Sequence, residues 1–125
     1  MIDHTFELKI IHTKMSTMRN QVMLIGNLGS DPEIKEFGDN GKLAKVSLAT
    51  NETYKNQKGE KVTETQWHNL VAWGRTAELF QKYVTKGQQI AISGKLVNRS
   101  FEKDGQTRYV TEVVVNDLLL LGSKD

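Results

Sequence analysis

Two indoles six residues apart, Trp67 and Trp73, stand in the run Thr65-Gln66-Trp67-His68-Asn69-Leu70-Val71-Ala72-Trp73-Gly74, and they are the only tryptophans in the chain. The run is rich in β-branched and aromatic residues and is closed by glycine, which predicts a strand. Alternation with period 2 turns both indoles to one face with Asn69 and Val71 between them, and sends His68, Leu70 and Ala72 to the other. Two flat rings with an amide between them make a platform for planar molecules, of which nucleic-acid bases are the commonest. The strand alone leaves a second reading open, in which both tryptophans are core residues of a small β domain.

Charge points to a polyanion. The chain carries +2 overall, but between Lys42 and Arg108 there are twelve Lys and Arg against six Asp and Glu, so the flanks are net acidic. Positive charge concentrated in the body of a small domain suits a nucleic acid, with a plain solvated lysine surface as the alternative. Cysteine is absent, which excludes a disulfide framework and thiolate chemistry and fits a reducing compartment. His4, His12 and His68 lack metal-ligand spacing, so no metal and no cofactor is expected. No phosphate-cradling glycine loop, carboxylate cluster or nucleophile–base pair stands out, and no catalytic residue is assigned. The longest apolar run, Leu118 to Leu121, is far too short to span a bilayer. Residues 1–17, interrupted by Asp3 and Glu7, do not read as a secretory signal. The expected location is cytoplasmic and nucleoid-associated.

At 125 residues the chain is expected to form one domain. Residues 19–28 predict a buried strand that ends at the turn Gly29-Ser30-Asp31-Pro32, and Glu33–Phe37 a short extended piece. A strand over Lys42–Tyr54 places Leu43 on one face and Ala44, Val46 and Leu48 on the other; the loop Asn56–Gly59 leads into the tryptophan strand. After Gly74 the apolar period changes: Ala77, Phe80 and Val84, with Gly87 as a stop, predict a helix of about three turns. Strands over Gln89–Phe101 and Thr107–Val115 follow, joined through Asp104-Gly105, a favoured tight-hairpin dipeptide. Three strands, one helix and two strands are the order of an all-β OB-fold: a five-stranded Greek-key barrel with one helix between strands 3 and 4.

Residues 18–122, about five-sixths of the chain, closely resemble bacterial single-stranded DNA-binding proteins of the general replication type. The resemblance is carried by Val22-Met23-Leu24-Ile25-Gly26-Asn27-Leu28-Gly29 with Asp31-Pro32-Glu33, by Leu48-Ala49-Thr50-Asn51-Glu52 and by Glu64-Thr65-Gln66-Trp67-His68. Lys86-Gly87, Gly94-Lys95-Leu96 and Arg108-Tyr109 with Thr111-Glu112-Val113-Val114-Val115 complete it. The resemblance implies sequence-independent binding of single strands in replication, recombination and repair, with bases stacked on Tyr54, Trp67, Trp73 and Phe101. Tyr54 and Phe101 stand where the best-known members usually have tryptophan, and Trp73 where they have phenylalanine; each keeps a π-face. Phosphate contacts are expected first from Lys55, Arg75 and Arg99, which neighbour those rings, and then from Lys45, Lys61, Lys86 and Arg108.

The resemblance also implies a homotetramer, with His68 supporting subunit contacts. The apolar stretch Val113–Leu121, where alternation fails, reads as a strand end covered on both faces, as at a subunit interface. Residues 1–17 have no counterpart in the family and are expected to be disordered or loosely packed. The family's acidic C-terminal tip is missing after 123–125, which puts tail-mediated replication and repair partners in doubt. A primosome-type restart protein, acting mainly through protein contacts, is the alternative; the aromatic set argues against it.

Overall fold

The computed structural model describes residues 18–38 and 41–122, so the expected N-terminal extension 1–17 and the end 123–125 lie outside the described residues. The elements are β1 (Val22–Leu28), β2 (Glu33–Phe37), β3 (Gly41–Lys55), β4 (Lys61–Trp73), α1 (Gly74–Tyr83), β5 (Gln89–Lys103) and β6 (Gln106–Gly122). Neighbouring strands run β1-β5-β6-β4-β3-β2, and β1 also pairs with β3 at Asn27↔Ala49 and Leu28↔Leu48. That extra pairing closes the five long strands into a barrel and leaves β2 outside, on β3. Counting the short β2 makes six strands; among the five long ones the helix stands between the third and fourth, as the OB arrangement requires.

Alternation builds the interior. Ala44, Val46 and Leu48 of β3 face Ala72, Leu70 and His68 of β4 in register, and all but His68 are buried. Ile90 and Ile92 of β5 and Val113 and Val115 of β6 complete the core with Leu28. From α1 come Ala77 and Phe80, followed by Val84, whose amide N–H donates to the Phe80 carbonyl where the helix ends. The helix therefore sinks its apolar stripe into the barrel, and its period-3.6 pattern exists for that reason.

β5 and β6 serve both barrel and arm. The register slips between Ser93 and Gly94, and a Cβ on Gly94 would lie 2.2 Å from the Val114 carbonyl oxygen, so the two backbones touch where only glycine fits. Beyond this point the strands continue as a hairpin to Lys103↔Gln106, turned by Asp104 (φ 54°) and Gly105 (φ 76°). The β3–β4 hairpin forms a second arm, and Asn56 shapes its tip by accepting the amide N–H groups of Lys58 and Glu60 on its side-chain oxygen.

β6 runs seven residues past the expected Val115, to Gly122, because the apolar run pairs with Ile90, Ala91 and Ile92 of β5. Leu118 packs on the core, whereas Leu119, Leu120 and Leu121 are exposed in the protomer. Within one protomer the stretch is thus covered on one side and open on the other. Among the described residues no helix is long and apolar enough to cross a membrane.

Candidate nucleic-acid interface

The β3–β4 register decides which side chains share a surface. Leu43↔Trp73, Lys45↔Val71, Ser47↔Asn69 and Ala49↔Trp67 lie on one face, opposite to the core set. Trp67 is 61% exposed and Trp73 53%, so the core reading of the tryptophans fails. The Trp67 indole reaches over the end of β1: a Cβ on Gly29 would sit 2.6 Å from the ring. Glycine at the β1 exit is what lets the indole lie there, and the Gly29 amide N–H donates to the Ser47 carbonyl to fix the approach.

Between this face and the β5–β6 arm runs an open groove of about 410 Å3. Lys45, Ser47, Asn69 and Val71 line one side, and Arg99, Phe101, Val110 and Glu112 line the other. Phe101 pairs with Arg108 and Arg99 with Val110, so Phe101, Arg99, Arg108 and Glu112 all project to the groove face. Three of the expected contacts therefore meet here, Lys45, Arg99 and Phe101, while Arg108 pairs with Phe101 on the same face of the arm but outside the groove lining.

Arg99 is held on both sides. Its Nε and Nη2 donate to the two oxygens of Glu112 at 2.8 and 3.1 Å, and its guanidinium lies 5.7 Å from the Phe101 ring centre. These contacts fix both the guanidinium and the ring beside it. The bidentate hydrogen bonds from Arg99 hold the Glu112 carboxyl, which is only 8% exposed, below its ordinary pKa against the opposing effect of burial. A folded-state pKa below the unfolded one contributes stability that is present above the usual carboxylate range and lost as pH falls through the folded value. Glu112→Gln should therefore lower the melting temperature at pH 7, and the gap to the parent should close as pH drops below about 4. Parallel melting curves of the two proteins across that range check this.

The remaining expected residues are more scattered. Lys55 and Lys61 face each other directly at the tip of the β3–β4 arm, on the tryptophan face. Like charges directly opposite destabilise a strand pair. Arg75 sits in the first turn of α1, just after Trp73 and the positive-φ Gly74. Lys86 lies in the α1–β5 loop, and its backbone N–H donates to the Asp31 carboxylate at 2.8 Å. Tyr54 is exposed, but alternation carries it to the reverse of the arm, where its hydroxyl donates to Glu64 and is shifted up in pKa chiefly by that hydrogen bond. His68 is on the same reverse face, its Nε2 2.9 Å from the Thr50 hydroxyl. No group of three or more His, Cys, Asp and Glu capable of holding a metal ion occurs among the described residues.

Two residues of this surface escaped the sequence reading. Glu112 was legible in principle, because the Asp104-Gly105 turn fixes a register that makes it the diagonal neighbour of Arg99. Phe37, on β2, stacks on Trp73 with ring centres 6.3 Å apart; its signal was a lone aromatic on the otherwise polar face of a short edge strand.

The comparisons with known proteins match this geometry. The model of the Single-strand binding protein family matches residues 19–121. The chain is 43% identical over 108 residues to Single-stranded DNA-binding protein 1 of Chlorobaculum tepidum, a match covering 85% of this chain and 67% of that protein. Its structure is similar to that of the Plasmodium falciparum SSB in complex with ssDNA, with a TM-score of 0.74, 33% identity, and 82% of this chain and 95% of that one covered. It is also similar to a deletion mutant of the single-stranded DNA binding protein from Thermus aquaticus, with a TM-score of 0.73 and 28% identity. That match covers 84% of this chain and 51% of the Thermus chain, so it spans about half of the latter. A closed barrel, two arms, exposed rings on one face and a family match from the start of β1 through the β6 run lead to one assignment: the chain belongs to the single-strand binding protein family.

Proposed function

We propose that this protein binds single-stranded DNA without sequence preference, stacking bases on its exposed rings and pairing phosphates with the cations beside them. The observation that carries this reading is the shared face of Trp67 and Trp73, both more than half exposed and bordered by the groove of Lys45, Arg99 and Phe101. Every base offers a π-face, so such a platform is indifferent to sequence; a duplex hides those faces in its own stack. Trp67, Trp73 and Phe101 take bases along the groove and Tyr54 takes one on the reverse of the arm. Lys55, Lys61, Arg75, Lys86, Arg99, Lys45 and Arg108 neutralise phosphates along that path, which makes affinity fall with salt. The role is stoichiometric protection of exposed strands in replication, recombination and repair, in a cytoplasmic, nucleoid-associated setting.

The same reading includes self-association into a homotetramer. Among the described residues, β1 pairs from Val22 to Gly26 with β5 alone, leaving one edge of backbone unmatched there, and Met23, Ile25 and Leu119 expose an apolar face beside it. A second copy covers both features at once, with His68 supporting the contact between subunits.

Competition tests the binding. Unlabelled single strands of any sequence should displace labelled oligo-dT, and duplex of equal length should not; equal competition by duplex would sink the proposal. Sedimentation of the purified chain should give a tetramer, and a monomer at micromolar concentration would remove the assembly from it.

A further inference from the structure

Strand β2 is the outermost strand of the sheet, and its register with β3 is Phe37↔Gly41, Lys35↔Leu43 and Glu33↔Lys45. Since Leu43 and Lys45 belong to the tryptophan face, Phe37 projects from that face too. The ring is 52% exposed, and its partner Gly41 has no side chain to cover it. A single exposed apolar residue is ordinary, but Phe37 adjoins a second exposed ring and extends the aromatic surface of that face. Phe37 also lies against Trp73 in an offset stack, with centres 6.3 Å apart and planes 30° apart.

We propose that Phe37 is a further base-stacking residue, which carries the nucleotide track past Trp73 and onto β2. The inference rests on the reading of this face as a single-stranded DNA site. The near-parallel rings let a base on Phe37 continue the direction of the base on Trp73. Next to Phe37 a hollow of about 440 Å3 is lined by Glu36, Lys42, Arg75 and Glu78, two carboxylates against two cations. Lys42 is engaged by Glu36 at 3.6 Å and by Gln81 at 2.8 Å. Arg75 remains the phosphate contact at this end, and Phe37, which carries no charge, adds stacking alone, so its loss leaves counterion release unchanged.

Anisotropy titrations of labelled oligo-dT at several salt concentrations test it, with the parent, Phe37→Ala, Phe37→Leu and Phe37→Trp. Both Phe37→Ala and Phe37→Leu should bind about fivefold more weakly, the low end for one lost stack, with an unchanged salt slope. Phe37→Trp should keep or exceed the parent affinity. Melting curves at the parent temperature show that the variants are folded. Phe37→Leu at parent affinity would overturn the proposal, because leucine preserves the packing on Trp73 and loses only the π-face. A weaker variant with an altered slope would overturn it as well. If the parent itself fails to bind oligo-dT, the reading of the whole face falls with it; parent binding beside an unaffected Phe37→Leu removes this inference alone.

Discussion

Trp67→Ala and Trp73→Ala together should weaken binding to oligo-dT by roughly 1–3 kcal/mol for each ring, with every 1.4 kcal/mol a factor of ten in affinity. Six residues of strand separate the rings by about 20 Å, beyond the range at which substitutions usually couple, so the two losses should add. The losses should also be the same for oligonucleotides of different base composition, since stacking and not base-edge hydrogen bonding is removed. Stability should hold to within about 0.5 kcal/mol, because both indoles are more than half exposed and neither belongs to the core cluster. Urea unfolding alongside anisotropy titration separates the two effects. A double variant that binds as the parent does would strip these rings of their role; one that unfolds would return them to the core.

Phe80→Ala should have the opposite signature. Phe80 is 1% exposed and joins α1 to Leu48, Leu70 and Ile90 in the barrel interior, where a cavity of this kind costs about 3–5 kcal/mol. A domain of this size has only about 5–15 kcal/mol in total, so the variant should be marginally folded at room temperature. Trp67 and Trp73 project from the opposite face of β4 to the core residues that Phe80 packs among. Bound oligo-dT should therefore raise the urea midpoint of the variant, by linkage, as it does for the parent. A Phe80→Ala protein within 1 kcal/mol of the parent would mean that the helix does not seat in the barrel as described.

The elements most legible from sequence were those whose pattern answers a single demand. The tryptophan strand alternates because one face of β4 packs inside the barrel and the other stays open, and that alone correctly predicted the shared face of Trp67 and Trp73. The Ala77–Phe80–Val84 stripe and the Asp104-Gly105 turn were equally direct. Legibility failed where two demands overlap. Leu118 to Leu121 serve the core on one side and an open surface on the other, so the run reads as continuously apolar and its strand seemed to end seven residues early. Phe37 was hidden because its importance lies in a neighbour thirty-six positions away, Trp73, brought beside it only when β2 joins the edge of β3. Tyr54 was grouped with the tryptophans by family resemblance, while the unbroken β3–β4 register places it on the other side of the arm.

Intrinsic tryptophan emission during titration tests the stacking claim most directly, because the two indoles are the chain's whole complement. Saturating oligo-dT should quench most of that emission, duplex of the same length should leave it nearly unchanged, and each single tryptophan variant should retain a share of the quench. Oligo-dT that binds by anisotropy and leaves the emission untouched would contradict the account.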